Sequence, residues 1–73
     1  MHVDTIRDLK EAIPFRPFKI TLTSGEELLV IRRSRVGIAP EKRYLIYATD
    51  DGGYKIVRPA DIRSAEVLEG SAA

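Results

Sequence analysis

The stretch Pro14 to Val30, PFRPFKITLTSGEELLV, leaves this chain few ways to fold. Phe18, Ile20 and Leu22 alternate with Lys19, Thr21 and Thr23. That period of two describes a strand with one apolar and one wettable face. Ser24 and Gly25 supply a turn, and the chain returns as a second strand ending at Val30. Two registers fit. A two-residue loop at Ser24-Gly25 sets Ile20 opposite Leu29. A three-residue loop at Thr23-Ser24-Gly25, a type I turn closed by a left-handed glycine, sets Ile20 opposite Leu28 and Phe18 opposite Val30. A type II′ turn needs its glycine where Ser24 stands, and a type I′ turn needs positive φ at both central residues. The three-residue loop is therefore expected, with Leu28 and Val30 facing inward. Leu29 and Ile31 then face the other side and need a second cover, such as a helix or a partner.

A chain of 73 residues makes one domain, expected over 1–69, with 70–73 as a disordered tail. A domain this short buries about 60% of its unfolded surface, so its core is small. It has no cysteine, hence no disulfide and no thiolate metal site. The one histidine, His2, is terminal and is read as solvated. No apolar run reaches the roughly 18 residues of a membrane span, and no signal-peptide pattern is present. The expectation is cytoplasmic residence without membrane contact. A formal charge of +1 gives no push toward nucleic acid; only the distribution of charge can do so.

Residues 4–13 read as a short helix. Asp4 or Thr5 can cap it, and Thr5-x-x-Asp8 fits a capping box. Ile6, Leu9 and Ile13 form one stripe at helical spacing, expected to dock on the sheet, and Arg7 and Glu11 are spaced to pair. Pro14 stops the helix, because the residue before a proline avoids helical backbone. Pro14-Phe15-Arg16-Pro17-Phe18 is then a stiff elbow with both phenylalanines in the core; its other reading is a proline-rich ligand for an aromatic groove. Beyond Val30, Arg32 to Arg35 is a bend, Val36 to Ile38 a short strand, and Ala39 to Lys42 a turn. Arg43 to Thr49 is a strand apolar on both faces, which suggests a central position. Asp50-Asp51-Gly52-Gly53 is the strongest hairpin turn, Tyr54 to Arg58 the return strand, Pro59-Ala60-Asp61 a tight 3₁₀ corner, and Ile62 to Leu68 the closing strand. The sum is a mainly β fold: a short N-terminal helix followed by a five- to six-stranded antiparallel SH3-like small barrel. Closure would remove sheet edges that so short a chain cannot otherwise cover.

The helix followed by ITLTSGEELLV resembles the opening of Sm-like barrels, whose first hairpin reads apolar-x-apolar-x-x-Gly-x-x-Leu, with Leu28 in the leucine position. The resemblance spans about residues 5–30 and implies the fold. Where bacterial Sm-like RNA chaperones carry an Asp flanked by aromatics, this chain has Arg33-Ser34-Arg35-Val36. Where their second signature stands, it has Val57-Arg58-Pro59-Ala60, so no RNA-binding residue carries over. Through the PFRPF elbow at 14–18 and the Asp-Asp-Gly-Gly hairpin at 50–53, the chain also resembles a group of small bacterial proteins of planctomycete type, a resemblance that implies no activity.

Residues that carry chemistry are sparse. There is no Ser-His-Asp set, no His beside a carboxylate and no phosphate-cradling glycine loop. Asp50 and Asp51 lack the further oxygen ligands that a cation needs and read as turn residues. Asp61 is read as the cap of its corner rather than a buried acid. No catalytic residue, cofactor or metal is expected. The one charge feature is basic: Arg32, Arg33, Arg35, Lys42 and Arg43, a rim that would contact phosphates if the flanking strands gather it, with Tyr44, Tyr47 and Tyr54 as stacking surfaces. The sequence thus points to a non-enzymatic protein-interaction or regulatory module, with an unknown protein partner or as a homo-oligomer. The alternative is a weak, sequence-nonspecific nucleic-acid binder.

Overall fold

The computed structural model describes residues 3–41 and 43–68. His2, Lys42 of the basic cluster and the 70–73 tail lie outside the described residues. The elements are α1 (Val3–Lys10), β1 (Phe18–Leu22), β2 (Glu27–Val30), β3 (Val36–Ile38), β4 (Leu45–Ala48), β5 (Tyr54–Val57) and β6 (Ile62–Val67), with 3₁₀ turns at Arg33–Arg35 and Pro59–Asp61.

The first hairpin takes the three-residue loop. Phe18 pairs with Val30 and Ile20 with Leu28. The Leu22 N–H donates to the Glu26 carbonyl at 2.8 Å, and the Gly25 N–H donates to the Leu22 carbonyl at 2.9 Å. Gly25 has φ +95°, which only glycine adopts without strain. Leu28 and Val30 are buried, while Leu29 and Ile31 are about half exposed. The Asp50 turn repeats the design: Thr49 N–H donates to the Gly53 carbonyl at 2.9 Å, and Gly52 has φ +90°. Replacing Gly25 by valine is expected to cost about 1–3 kcal/mol, because a β-branched residue is strained there; chemical denaturation measures it.

The ladders divide into two three-stranded antiparallel sheets, β2-β1-β6 and β3-β4-β5. β4 is central to its sheet, as its two apolar faces require. The fold is mainly β with one short N-terminal helix. Barrel closure is a finer matter: among the described residues no ladder joins the sheets. The chain crosses between them at its two 3₁₀ turns, between β2 and β3 and between β5 and β6. Individual bonds tie the layers there. The Tyr47 hydroxyl donates to the Leu29 carbonyl at 2.8 Å, and Lys55 pairs with Glu26. Within the first sheet the Thr23 N–H donates to the Asp61 carbonyl at 2.8 Å, beside the β1–β6 ladder.

Between the sheets lies one core. Phe18, Ile20, Leu22, Leu28, Val30 and Ile62 enter it from the first sheet; Val36, Leu45 and Val57 enter from the second. Val3 and Ile6 of α1 complete it. Leu9 packs against its border. Ile13 does not take part, contrary to the stripe expected from helical spacing: it is 92% exposed. The helix stops at Lys10, so the spacing that links Ile13 to Leu9 is never realised. Arg7 pairs with Asp4 at 3.3 Å rather than with Glu11. In the elbow, Phe18 is fully buried, with the half-buried Phe15 tilted at 59° against it, ring centroids 6.1 Å apart.

Candidate functional site

The two sheets present opposite kinds of surface to solvent. On the outer face of the first, register places Lys19 and Thr21 beside Glu27, Leu29, Ser64 and Glu66. Lys19 reaches Glu27 and Glu66, each at 3.2 Å. Glu27 first, and then Glu66, hold its ammonium above the usual lysine range through hydrogen bonds. This is an ordinary wetted face of an antiparallel sheet.

The second sheet inverts that pattern. Ile46 pairs with both Gly37 and Ile56, and Ala48 pairs with Tyr54. Alternation sets these five residues opposite the buried Val36, Leu45 and Val57. No member is charged, and the Tyr54 phenol is the only polar side-chain group. Tyr54 is 75% and Ile56 67% exposed, with Ile46 and Ala48 half-buried beside them. A groove of about 310 Å³ between α1 and β3, bordered by Arg7, Lys10 and Glu11, adjoins the face at Gly37. Contiguous exposed apolar surface of this kind marks interaction sites. The two-sided apolarity of β4 by itself indicates only a central strand. The further signal was that Ile46, Ala48, Tyr54 and Ile56 form one alternating set without a charge. Leu29 and Ile31, the pair that the hairpin register leaves in need of a second cover, border a pocket of about 270 Å³ with Glu27, Arg35, Tyr47 and Asp50.

The basic cluster is divided among separate tasks. Arg33 donates from Nε to the Lys10 carbonyl at 2.8 Å and from Nη2 to the Ala12 carbonyl at 3.0 Å. Its guanidinium also lies 5.5 Å from the centre of the Phe15 ring. It therefore closes the end of α1, where carbonyls lack helical partners and a cation is favoured. Arg35 donates to the Ala48 carbonyl at 3.1 Å and pairs with Asp50 at 2.6 Å. Arg43 pairs with Glu41 at 2.9 Å. Arg32 is exposed, with no ion pair or side-chain hydrogen bond among the described residues. These engagements set Arg33 apart from Arg32 despite their adjacency. Arg33→Glu is expected to lose about 1–2 kcal/mol of stability, and Arg32→Glu to stay within about 0.5 kcal/mol, as thermal unfolding of both variants will show.

The acidic turn likewise has local duties. Asp51 accepts hydrogen bonds from the Thr49 hydroxyl and, at 3.1 Å, from the Gly53 N–H. The Thr49 hydroxyl first, then the Gly53 N–H, hold its carboxyl below the usual range. A carboxyl depressed by folding contributes stability above its unfolded value, near 3.8, and loses that contribution as pH falls toward the folded value. Asp51→Asn is therefore expected to flatten the acid side of the stability curve below about pH 4, measured by urea unfolding. Asp61 is exposed, 3.8 Å from Arg58. Among the described residues no group of three or more His, Cys, Asp or Glu side chains is placed to hold a metal ion. No described helix is long and apolar enough to cross a membrane.

No protein-family model matches the chain, and no curated protein matches it. Among solved structures it is similar to the solution NMR structure named "Putative Lipoprotein from Pseudomonas syringae". The two are 21% identical with a TM-score of 0.52, over 73% of this chain and 93% of that one. At that identity the likeness concerns the fold.

Proposed function

We propose that this protein is a non-enzymatic interaction module, a small barrel of the SH3-like or Sm-like kind that docks through the outer face of β3-β4-β5. One observation carries the reading: Gly37, Ile46, Ala48, Tyr54 and Ile56 leave one sheet face without a charge, while the other sheet's face is ion-paired throughout its centre. In a chain of which 32% is charged, such an omission on an exposed face calls for a partner that removes it from water. The barrel description is supported by the two sheets sharing one core and by the 3₁₀ corners at which the chain passes between them. Phosphate contact by the arginine cluster is a weaker account, because Arg33, Arg35 and Arg43 already spend donors on carbonyls and carboxylates.

Ile56→Lys tests the reading. The side chain is mostly exposed, so the variant is expected to fold with stability within about 0.5 kcal/mol of the parent. In extracts of the native host, the wild-type chain is expected to elute well above its 8.2 kDa mass, and the variant near it. Identical elution of the two would overturn the proposal.

A further inference from the structure

We infer that the Asp51-Gly52 peptide bond is a site of backbone modification, conversion of aspartate to isoaspartate through a cyclic imide, and that Thr49 is the residue that holds the reaction off in the folded chain. Sequence singles out the bond. Of Asp4, Asp8, Asp50, Asp51 and Asp61, only Asp51 is followed by glycine, and the chain has no asparagine. Thr5, Leu9, Asp51 and Ile62 follow the others, each with a side chain that hinders attack by its own backbone nitrogen. Asp51, Gly52 and Gly53 are all exposed. This holds whatever the outer face of β3-β4-β5 binds.

The chemistry is a condensation followed by a hydrolysis. The Gly52 amide nitrogen attacks Cγ of the Asp51 carboxyl. An N–Cγ bond forms, the Cγ–OH bond breaks, and the hydroxyl leaves with the amide proton as water. A second water then opens the imide. Opening at Cγ restores aspartate; opening at the Asp51 backbone carbonyl carbon leaves the chain running through Cβ and Cγ, one backbone atom longer. Attack needs a neutral carboxyl whose hydroxyl can depart, a carboxyl free to bring its carbon onto the nitrogen, and a nitrogen not held elsewhere. The turn withholds each. The Thr49 hydroxyl and, at 3.1 Å, the Gly53 N–H donate to the same Asp51 Oδ1, which fixes the group. Those bonds, the Thr49 hydroxyl first, also favour the ionised carboxylate. A Cβ at position 53 would stand 3.2 Å from Thr49 Oγ1 and 3.4 Å from Asp51 Oδ1, so the carboxylate is packed as well as bonded. The Gly52 N–H itself donates to the Thr49 carbonyl at 3.3 Å. Thr49 thus restrains both reacting groups, the carboxyl through its hydroxyl and the nitrogen through its carbonyl. The added backbone atom falls between Thr49 and Gly53, so it lengthens the loop that their 2.9 Å bond closes.

Ageing of the purified full chain at 37 °C and neutral pH tests the assignment. Isoaspartate is read by a protease that cuts before aspartate but not before isoaspartate, and the imide by a mass lower by one water. Folded wild type is expected to convert position 51 about tenfold more slowly than the same chain held unfolded in urea, where the turn is gone. Thr49→Val keeps the side-chain shape without the hydroxyl and is expected to convert about tenfold faster than folded wild type, while Thr49→Ser, which keeps the hydroxyl, stays within about threefold. Gly25→Val lowers stability without touching this turn and is expected to convert at the wild-type rate. If it accelerates conversion as much as Thr49→Val does, global unfolding sets the rate and the role of Thr49 is overturned. A Thr49→Val rate equal to wild type overturns it too. Should Thr49→Val not fold, the folded and urea-unfolded wild-type rates decide, and equal rates overturn the protection. No isoaspartate at position 51 of the urea-unfolded chain overturns the site itself.

Discussion

Phe18→Ala is expected to unfold this protein. Phe18 is fully buried where β1 lies between β2 and β6, pairing with Val30 on one side and Val67 on the other. Its ring also supports Phe15, on which Arg33 rests. Truncation of a buried phenylalanine costs about 3–5 kcal/mol. A 73-residue domain has about 4–11 kcal/mol in total at the usual stability per residue. The loss is therefore comparable with the whole, and circular dichroism at 37 °C should show a largely unfolded chain. A cooperative transition within about 1 kcal/mol of wild type would mean that the elbow and the first sheet do not share one core.

The second large effect is expected at Ile6. This side chain is fully buried, and with Val3 it is what α1 contributes to the core. An eight-residue helix has no independent stability, so its order depends on that contact. Ile6→Ala is expected to cost about 2–5 kcal/mol, and Ile13→Ala to stay within about 0.5 kcal/mol, although the two residues share a stripe in the sequence. Urea denaturation of the pair separates the two accounts of the helix. Equal losses would restore a helix docked along its whole length.

The difference between Ile6 and Ile13 shows what was legible in the sequence. The hairpins were, because each is written within a few residues. Thr23-Ser24-Gly25 permits one comfortable turn, that turn sets the register, and the register sends Leu28 and Val30 inward. The 3₁₀ corner at Pro59–Asp61 and the central place of β4 were legible for the same reason. The helix end was not. The Lys10 and Ala12 carbonyls are satisfied by Arg33, 23 and 21 residues away, and no local pattern announces that bond. The same bond removes Arg33 from the charge cluster to which adjacency with Arg32 had assigned it. Clustering in sequence counts charges but does not say which of them the fold has already engaged.

The candidate face was half legible. Alternation in Tyr54 and Ile56 was plain, and so was the apolarity of both sides of β4. Missing was the knowledge that Val57 and Leu45 turn into the shared core together, which leaves Ile56 and Ile46 paired on the outside. That is a property of how the second sheet packs on the first around one core, rather than of either strand. Leu29 and Ile31 lie half exposed for a sound local reason, the register of the first hairpin, yet their surroundings include Arg35, Glu27 and Asp50, charged groups that the β4–β5 face lacks.

The central claim, that the outer face of the second sheet is the docking surface, is tested most directly by photo-crosslinking in the native host. A photoreactive residue is placed at position 56 in one variant and at position 64 in another. Ile56 stands on the uncharged face and Ser64 on the ion-paired face of the first sheet, and both are exposed. The account predicts a discrete protein adduct from position 56 and none above background from position 64. Adducts from position 64 with none from position 56, or equal yields from both, would contradict it.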